Sequence, residues 1–346
     1  MSVNRQWRLA RRPRGLVQVT DFTWSEEPVP PVGEGQVLVR SLFLSMDPTQ
    51  RGWMSRDTYL PAIGIGEVIR SLGVGQVVGS RHEGFRPGDL VSGHVGWQDY
   101  RLTDGGGPLP LVKLPAGVDI PLAMNVLGLT GVTAYFGLLD VGRPQAGETV
   151  VVSGAAGATG SVAGQIAKIK GCRVVGIAGG PEKCAWLTEK AGFDAAVDYK
   201  AEHVARRLGE LCPDGIDVFF DNVGGDILDA ALANLAMRGR VVLCGAISGY
   251  NEKAPPPGPR NYLSLLVRRG RMEGFIILDY MDRAGEAVAA LSQWVQDGKI
   301  HHEEDIQEGL ENAPATLLRL FEGKNRGKQL LKVADPPLAT RSSPRA

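Results

Sequence analysis

Three things are scarce in this chain, and each absence removes a class of protein. There is no net charge: 38 Lys and Arg are matched by 38 Asp and Glu over 346 residues. Neither nucleic acid nor an anionic membrane surface would therefore attract it in bulk. No apolar run approaches the length of a membrane span. Cysteine is sparse as well: Cys172, Cys184, Cys212 and Cys244 are scattered without paired short spacing. That pattern fits free thiols in a reducing cytosol and not a disulfide framework. Cys172 and Cys244 abut strand patterns and read as small buried apolar residues. The Arg-rich start lacks the apolar core of a secretory signal. Charge alone would allow a transit peptide, but Leu16-Val17-Gln18-Val19 follow at once in strand alternation, so the Arg-rich start reads as a basic first strand and turn. The closing residues 339–346 read as a frayed tail.

The length suffices for two domains, each with its own core. Up to about residue 120, short β-type runs at Gln36 to Leu44, Gly64 to Ile69, Gly75 to Val78 and Leu90 to Ser92 are broken by Pro and Gly. This is the texture of a small β-barrel. From about residue 121 helix and strand alternate. A helical stretch from Pro121 to Asp140 leads to a strand at Val150, a helix through Lys170 and a strand from Arg173 to Ile177. A helix from Pro181 to Ala191 and a strand from Ala195 to Val197 come next. Ile216 to Phe220 and Arg240 to Cys244 read as strands, with a helix from Asp226 to Met237 between them. Met272 to Leu278 is strand-like, Ala284 to Asp297 helical, and Lys328 to Val333 a last strand that could return to the first domain. The alternation predicts an α/β fold with a doubly wound parallel sheet.

The most informative segment is Val150 to Lys168, a buried strand, a glycine-rich turn and the opening of a helix. Such a turn presents backbone N–H groups at the positive end of a helix, where a pyrophosphate can sit. Gly157 allows close approach of an anion, and Gly160 allows the helix to pack tightly. Ala155 stands where the strict G-x-G-x-x-G pattern has its first glycine. Ligands of doubly wound sheets lie beyond the C-terminal strand ends, so the segments that follow each strand read as one cleft. After the second strand comes Gly179, where an NAD enzyme carries an acidic residue for the ribose 2′-OH, with Lys183 just beyond. A small residue with a nearby cation suits a 2′-phosphate and favours NADPH. Without that context Lys183 reads as a solvated helix residue. Asp221 to Gly225 and Gly245 to Tyr250 end two further strands; each alone is a simple turn, and together they read as one cleft.

A zinc site would need Cys, His or carboxylate ligands in tetrahedral array. The first 120 residues hold no cysteine, and Leu44-Ser45-Met46-Asp47 and Ile65-Gly66-Glu67 stand where ligands would be sought. His82, His94, His301 and His302 form no interpretable set, and no metal is expected.

On Met46-Asp47-Pro48, Gly154 to Gly160, Gly176 to Lys183, Phe220 to Gly225, Cys244 to Tyr250, Arg271 to Ile277 and Gly323 to Lys328, the chain resembles the zinc-independent branch of the medium-chain dehydrogenase/reductases. Within it the resemblance is to leukotriene B4 dehydrogenase/prostaglandin reductases, plant alkenal double-bond reductases and bacterial curcumin reductases, over roughly residues 5 to 333. It implies a GroES-like barrel built from both chain ends, residues 1–122 and 318–346, and a Rossmann NADPH-binding domain, residues 123–317. Phosphates would lie at Gly157, Ala158, Thr159 and Gly160. Lys183 and Tyr199 would approach the 2′-phosphate. Asn222, Cys244, Gly245, Ala246, Ile247, Ser248, Tyr250, Phe275, Ile276, Ile277 and Asn325 would line the rest of the cofactor path. The family commonly has Asp-Pro-Tyr-Met-Arg where this chain reads Asp47-Pro48-Thr49-Gln50-Arg51, so one substrate-side aromatic is missing. Trp53, Tyr59 and Tyr262 are the available substitutes.

The implied reaction is NADPH-dependent reduction of the C=C bond of an α,β-unsaturated ketone or aldehyde. Hydride adds to the β-carbon, and charge develops on the carbonyl oxygen, where a hydrogen-bond donor is needed. Tyr250 is the candidate, with a plain packing role as its alternative. A quinone reductase and a non-catalytic NADPH-binding protein are the competing functions. A cytoplasmic homodimer is expected, joined through the strand near Met272 to Leu278.

Overall fold

The computed structural model describes residues 3–335. In chain order the strands begin with β1 (Val3–Leu9), β2 (Phe22–Pro28), β3 (Val37–Ser45), β4 (Leu72–Ser80), β5 (Leu90–His94), β6 (Tyr100–Thr103) and β7 (Val112–Lys113). Next come β8 (Thr149–Ser153), β9 (Arg173–Ala178), β10 (Ala195–Asp198), β11 (Ile216–Asp221), β12 (Leu235–Leu243) and β13 (Arg271–Gly274), and last β14 (Glu304–Glu308) and β15 (Lys328–Lys332). The helices are α1 (Thr49–Trp53), α2 (Ile120–Met124), α3 (Leu129–Phe136), α4 (Ala158–Ile169), α5 (Pro181–Glu189), α6 (Val204–Leu211), α7 (Gly225–Ala233), α8 (Leu263–Arg268), α9 (Ala284–Gln296) and α10 (Ala313–Phe321).

Two compact units result. Among the described residues, one holds everything up to residue 121 together with 306–320 and the stretch from 329 on, the other 122–305 and 321–328. The sequence placed one late crossing near residue 318, whereas the chain divides at 305, 320 and 328.

In the first unit β3 is the central strand, buried at eight of its nine positions, because β4, β6 and β15 all pair with it. The expected return of the last strand is observed: Leu331 lies opposite Leu44, antiparallel. Past β3, the buried Gln50 amide donates to the Ser45 and Arg70 carbonyls. The Arg51 guanidinium donates to the carbonyls of Pro13 and Gly15. Both side chains therefore hold loops together.

Two strand expectations in this unit fail. Leu16 to Val19 is no strand, because the Gln18 N–H turns back to the Asp21 carboxylate at 2.8 Å and closes a 3-10 turn over Val19–Asp21. The basic first strand expected in the Arg-rich start is observed at Val3–Leu9, and its inward positions include the polar Asn4 and Gln6. Gly64 to Ile69 is no strand either. Gly66 has φ +86°, and the Gly64 N–H is capped by the Glu67 carboxylate at 2.8 Å, which makes a turn.

The second unit is a six-stranded, wholly parallel sheet in the order β10-β9-β8-β11-β12-β13. Strands β8, β9 and β11 are buried on both faces, so consecutive residues serve opposite cores. Val150, Val152, Val174, Val218 and Phe220 join one core with Phe136 of α3, Ile166 of α4 and Leu291 of α9. Val151, Val175, Phe219 and Val241 join the other with Leu208 of α6 and Leu232 of α7. This produces the doubly wound arrangement that the alternation predicts.

Element ends differ from expectation where local bonding overrides pattern. The single helix expected from Pro121 to Asp140 is two helices and a π-turn over Gly137–Gly142. The break falls at residues 125–128, where the Asn125 carbonyl accepts from both the Gly128 and Gly131 N–H groups. The helix expected to Met237 stops at Ala233, because Leu235 already pairs with Ile216. The strand expected to Leu278 ends at Gly274 and passes into a 3-10 turn over Ile277–Arg283. Helices α6, α8 and α10 and strand β14 had no sequence counterpart. The tail at 339–346 lies outside the described residues.

Candidate active site

Strands β8 and β11 are neighbours although β9 and β10 intervene in the chain. The winding direction reverses between them, and beyond their C-terminal ends such sheets leave a crevice. The glycine turn sits on one lip. Gly154 has φ +57°, α4 starts at Ala158, and the N-cap Gly157 is extended and offers no side-chain oxygen to the first-turn N–H groups. Those groups lie at Ala158, Thr159 and Gly160, the start of a twelve-residue helix, with Ala158 and Thr159 half-exposed and Gly160 buried. A Cβ on Gly160 would fall 2.4 Å from the Gly154 carbonyl oxygen, so only glycine lets the helix begin this close to the turn. Ala155 is fully buried, and Gly176 on β9 makes room for it: a Cβ there would stand 3.0 Å from the Ala155 Cβ. The missing first glycine is thus offset by one on the next strand.

The β9 side carries a basic, aromatic corner. Lys183, on the first turns of α5, donates to the Gly323 carbonyl at 2.8 Å. Burial, and then the charge of Lys200, hold its ammonium below the usual lysine range. The Tyr199 ring covers Gly179 so closely that a Cβ on that glycine would meet the ring at 2.8 Å. Gly327 reaches the glycine turn from the late part of the chain, bonding Ala156 O at 3.1 Å and bridging Gly157. Asn325 closes that segment through the Gly327 carbonyl at 2.9 Å. The structure therefore brings Gly157, Ala158, Thr159, Gly160, Lys183, Tyr199 and Asn325 into one neighbourhood.

Asn222, Cys244, Gly245, Ala246, Ile247, Ser248 and Tyr250 form the opposite group, at the ends of β11 and β12. Asn222 donates to the Ser153 carbonyl at 2.7 Å and lies beside Gly154, linking the two lips. Ser248 bonds the Val223 carbonyl through both its N–H (3.1 Å) and its hydroxyl (2.6 Å). The half-buried Tyr250 folds over its own loop, its hydroxyl accepting from the Ala246 N–H at 3.3 Å. Burial and the nearby Asp221 push the Cys244 thiol up to about 12, so it stays protonated. At the end of β13 the Phe275 ring packs against Gly137 and the edge of Tyr280, within the core side of the sheet. Ile276 and Ile277 follow it into the 3-10 turn.

Ser153, which the sequence reading did not single out, and Asp221, which it took only as the first residue of a cleft segment, occupy the floor between the lips. Ser153 and Asp221 are both fully buried, and the serine hydroxyl donates to the carboxylate at 2.7 Å. A lone Asp closing an apolar run reads as a turn former; its complete burial is visible only in three dimensions.

No group of three or more His, Cys, Asp or Glu able to hold a metal ion occurs among the described residues. His94 in the first unit is a neutral imidazole, its pKa pushed down to about 3 by burial and by the charges of Arg101 and Arg70.

The family model described as the N-terminal domain of oxidoreductase matches residues 5–111, and the zinc-binding dehydrogenase model matches residues 158–294. The word zinc in that second description belongs to the family model; among the described residues no three candidate ligands come together. The NADPH-dependent curcumin reductase of Escherichia coli is 46% identical over 338 residues, 96% of this chain and 97% of its own. Prostaglandin reductase 1 of Rattus norvegicus is 40% identical over 333 residues, 94% of this chain and 98% of its own. Among solved structures, CurA from Vibrio vulnificus in complex with NADPH superimposes with a TM-score of 0.90 at 44% identity, covering 96% of this chain and 100% of that one. Escherichia coli quinone oxidoreductase complexed with NADPH gives 0.75 at 20% identity, over 96% of this chain and 100% of its own, a likeness of fold alone. With such identity along nearly its whole length, the chain belongs to the medium-chain dehydrogenase/reductase family, together with the curcumin and prostaglandin reductases.

Proposed function

We propose that this protein is an NADPH-dependent reductase of the C=C bond of α,β-unsaturated ketones and aldehydes. The observation that carries the proposal is the crevice itself, with a glycine turn and a basic corner on one side and the Tyr250 loop on the other. The likeness to reductases named for curcumin, prostaglandin and alkenal supports it.

In this reading the cofactor lies along the crevice. First-turn N–H groups of α4 take the pyrophosphate. The glycine at 179 leaves space beside Tyr199 and Lys183, and a 2′-phosphate there meets an ammonium. Asn222, Cys244 to Ser248, Ile276, Ile277 and Asn325 line the remaining path, while the Phe275 ring supports it from the core side. When bound, NADPH supplies the hydride that the acceptor's β-carbon receives. Negative charge then collects on the acceptor's carbonyl oxygen, and Tyr250 is the donor assigned to it. Its hydroxyl accepts from the Ala246 N–H, which polarises the O–H and makes it the better donor. The α-carbon takes its proton from Tyr250 or from water.

A cytoplasmic homodimer completes the reading. The four cysteines are free thiols, and no helix among the described residues is long and apolar enough to cross a membrane. Strand β13 ends the sheet, and nearby α8 exposes Leu263, Leu266 and Val267, an apolar edge suited to a second copy.

The test is NADPH consumption over a panel of enals, aryl enones and quinones, with products identified. Saturated carbonyl products with the enals and enones are expected. An allylic alcohol would overturn the C=C assignment, turnover of quinones alone would select the quinone reductase, and tight NADPH binding without turnover of any acceptor would leave a non-catalytic binder.

A further inference from the structure

Asp221 is wholly buried at the C-terminal end of β11, and hydrogen-bond donors alone hold its carboxylate. One oxygen accepts from the Ser153 hydroxyl (2.7 Å) and the N–H groups of Val223 and Gly224 (both 3.0 Å); the other accepts from Gly224 at 3.1 Å. Its main-chain carbonyl accepts from Cys244 (2.9 Å) and Gly245 (3.0 Å). The Ser153 hydroxyl in turn accepts from the Asn222 N–H at 2.8 Å. One residue therefore ties together the ends of β8, β11 and β12. From there the bonding continues outward, because the carbonyls of Asn222 and Val223 accept from Ile247 (3.3 Å) and Ser248 (3.1 Å), which build the 3-10 turn immediately before Tyr250.

Burying a carboxylate without a cation is unfavourable, and burial does push this group above the ordinary carboxylate range. A purely structural role would be filled more stably by a neutral side chain. The bonding points to work at the crevice, and to one half of it: every group Asp221 holds lies on the β8, β11 and β12 ends. Lys183 and Tyr199 lie on the β9 side, and no hydrogen bond of Asp221 reaches them.

We infer that Asp221 is a positioning residue for the nicotinamide half of the crevice, holding the Asn222 to Gly224 turn and, through it, the loop that carries Tyr250. The inference rests on the NADPH reading above. In Asp221→Asn the shape is kept, but an amide NH2 faces the Gly224 N–H, donor against donor, and the turn must shift.

The experiment measures dissociation constants of NADPH and of 2′,5′-ADP, which carries the 2′-phosphate but no nicotinamide, by calorimetry. Asp221→Asn is expected to weaken NADPH about tenfold, the scale of one lost charge-assisted bond, while 2′,5′-ADP changes less than about twofold. Lys183→Ala is expected to weaken both. If Asp221→Asn does not fold, Ser153→Ala is read in the same way, with a loss of about threefold for NADPH alone. Equal weakening of both ligands, or no change in either, would overturn the inference while leaving the cofactor reading in place. A wild-type protein that does not bind NADPH would overturn both.

Discussion

At the scale of single residues, Lys183 makes the sharpest claim. If its ammonium meets a 2′-phosphate, Lys183→Ala should weaken NADPH by about 1.5–3 kcal/mol, roughly ten- to a hundredfold, and hardly touch NADH. Equal losses for the two cofactors would refute the role. The same residue predicts a pH dependence. Burial and Lys200 lower its pKa, and only the charged form attracts phosphate. The preference for NADPH over NADH should therefore be full at neutral pH and fall as pH rises through that depressed pKa. Lys183→Arg, charged throughout, should keep the preference into alkaline solution; a parallel decline in both proteins would contradict the assignment. Lys183 was legible because it stands just past a strand end where an acidic residue is missing. Ser153 was not, and of Asp221 only its place at a strand end was legible, since nothing in the local sequence separates a buried floor from an ordinary turn.

At the scale of elements, α4 is held against the sheet by an absent side chain. A Cβ on Gly164 would fall 2.0 Å from the Phe193 ring, a ring that is itself buried and packed in the core. Gly164→Ala should lower the stability of the second unit by about 1–3 kcal/mol through overpacking, read as a loss in thermal unfolding, and Phe193→Leu should relieve part of it. An unchanged melting curve would show that the helix shifts freely. The parallel strands were the most legible elements, because unbroken apolar runs such as Val150 to Val152 are what burial on both faces requires. Strand β1 was expected as a basic first strand, but its inward face was hidden for the opposite reason. Its inward Asn4 and Gln6 are satisfied by the Tyr100 backbone and Gln98, partners more than ninety positions away, so the strand carries no apolar alternation. The break between α2 and α3 was read through, because its one local mark is Gly128, the N-cap of α3, and a single glycine inside an apolar helical pattern is ordinarily tolerated. In the candidate site, the glycine turn and the strand-end segments could be read from spacing; the closeness of Asn325 and Gly327 to the turn could not, because it joins residues 170 positions apart.

At the scale of the whole molecule, fold class and cofactor type followed from the order of strands and helices, whereas the acceptor lies outside what that order encodes. Binding to the folded state alone stabilises it, so NADPH at a hundred times its dissociation constant should add about 2.7 kcal/mol to unfolding. NADH at the same concentration should add far less. The apolar edge at β13 and α8 predicts a dimer by analytical ultracentrifugation, and Leu266→Glu, which puts charge into that edge, should yield monomers; a wild-type monomer would refute this assembly. The central claim concerns the bond that is reduced. Its most direct measurement is the NMR spectrum of the product after turnover of an aryl enone with NADPH deuterated at the transferred position. The account predicts a saturated ketone carrying deuterium on the β-carbon, and deuterium on a carbinol carbon with the double bond intact would contradict it.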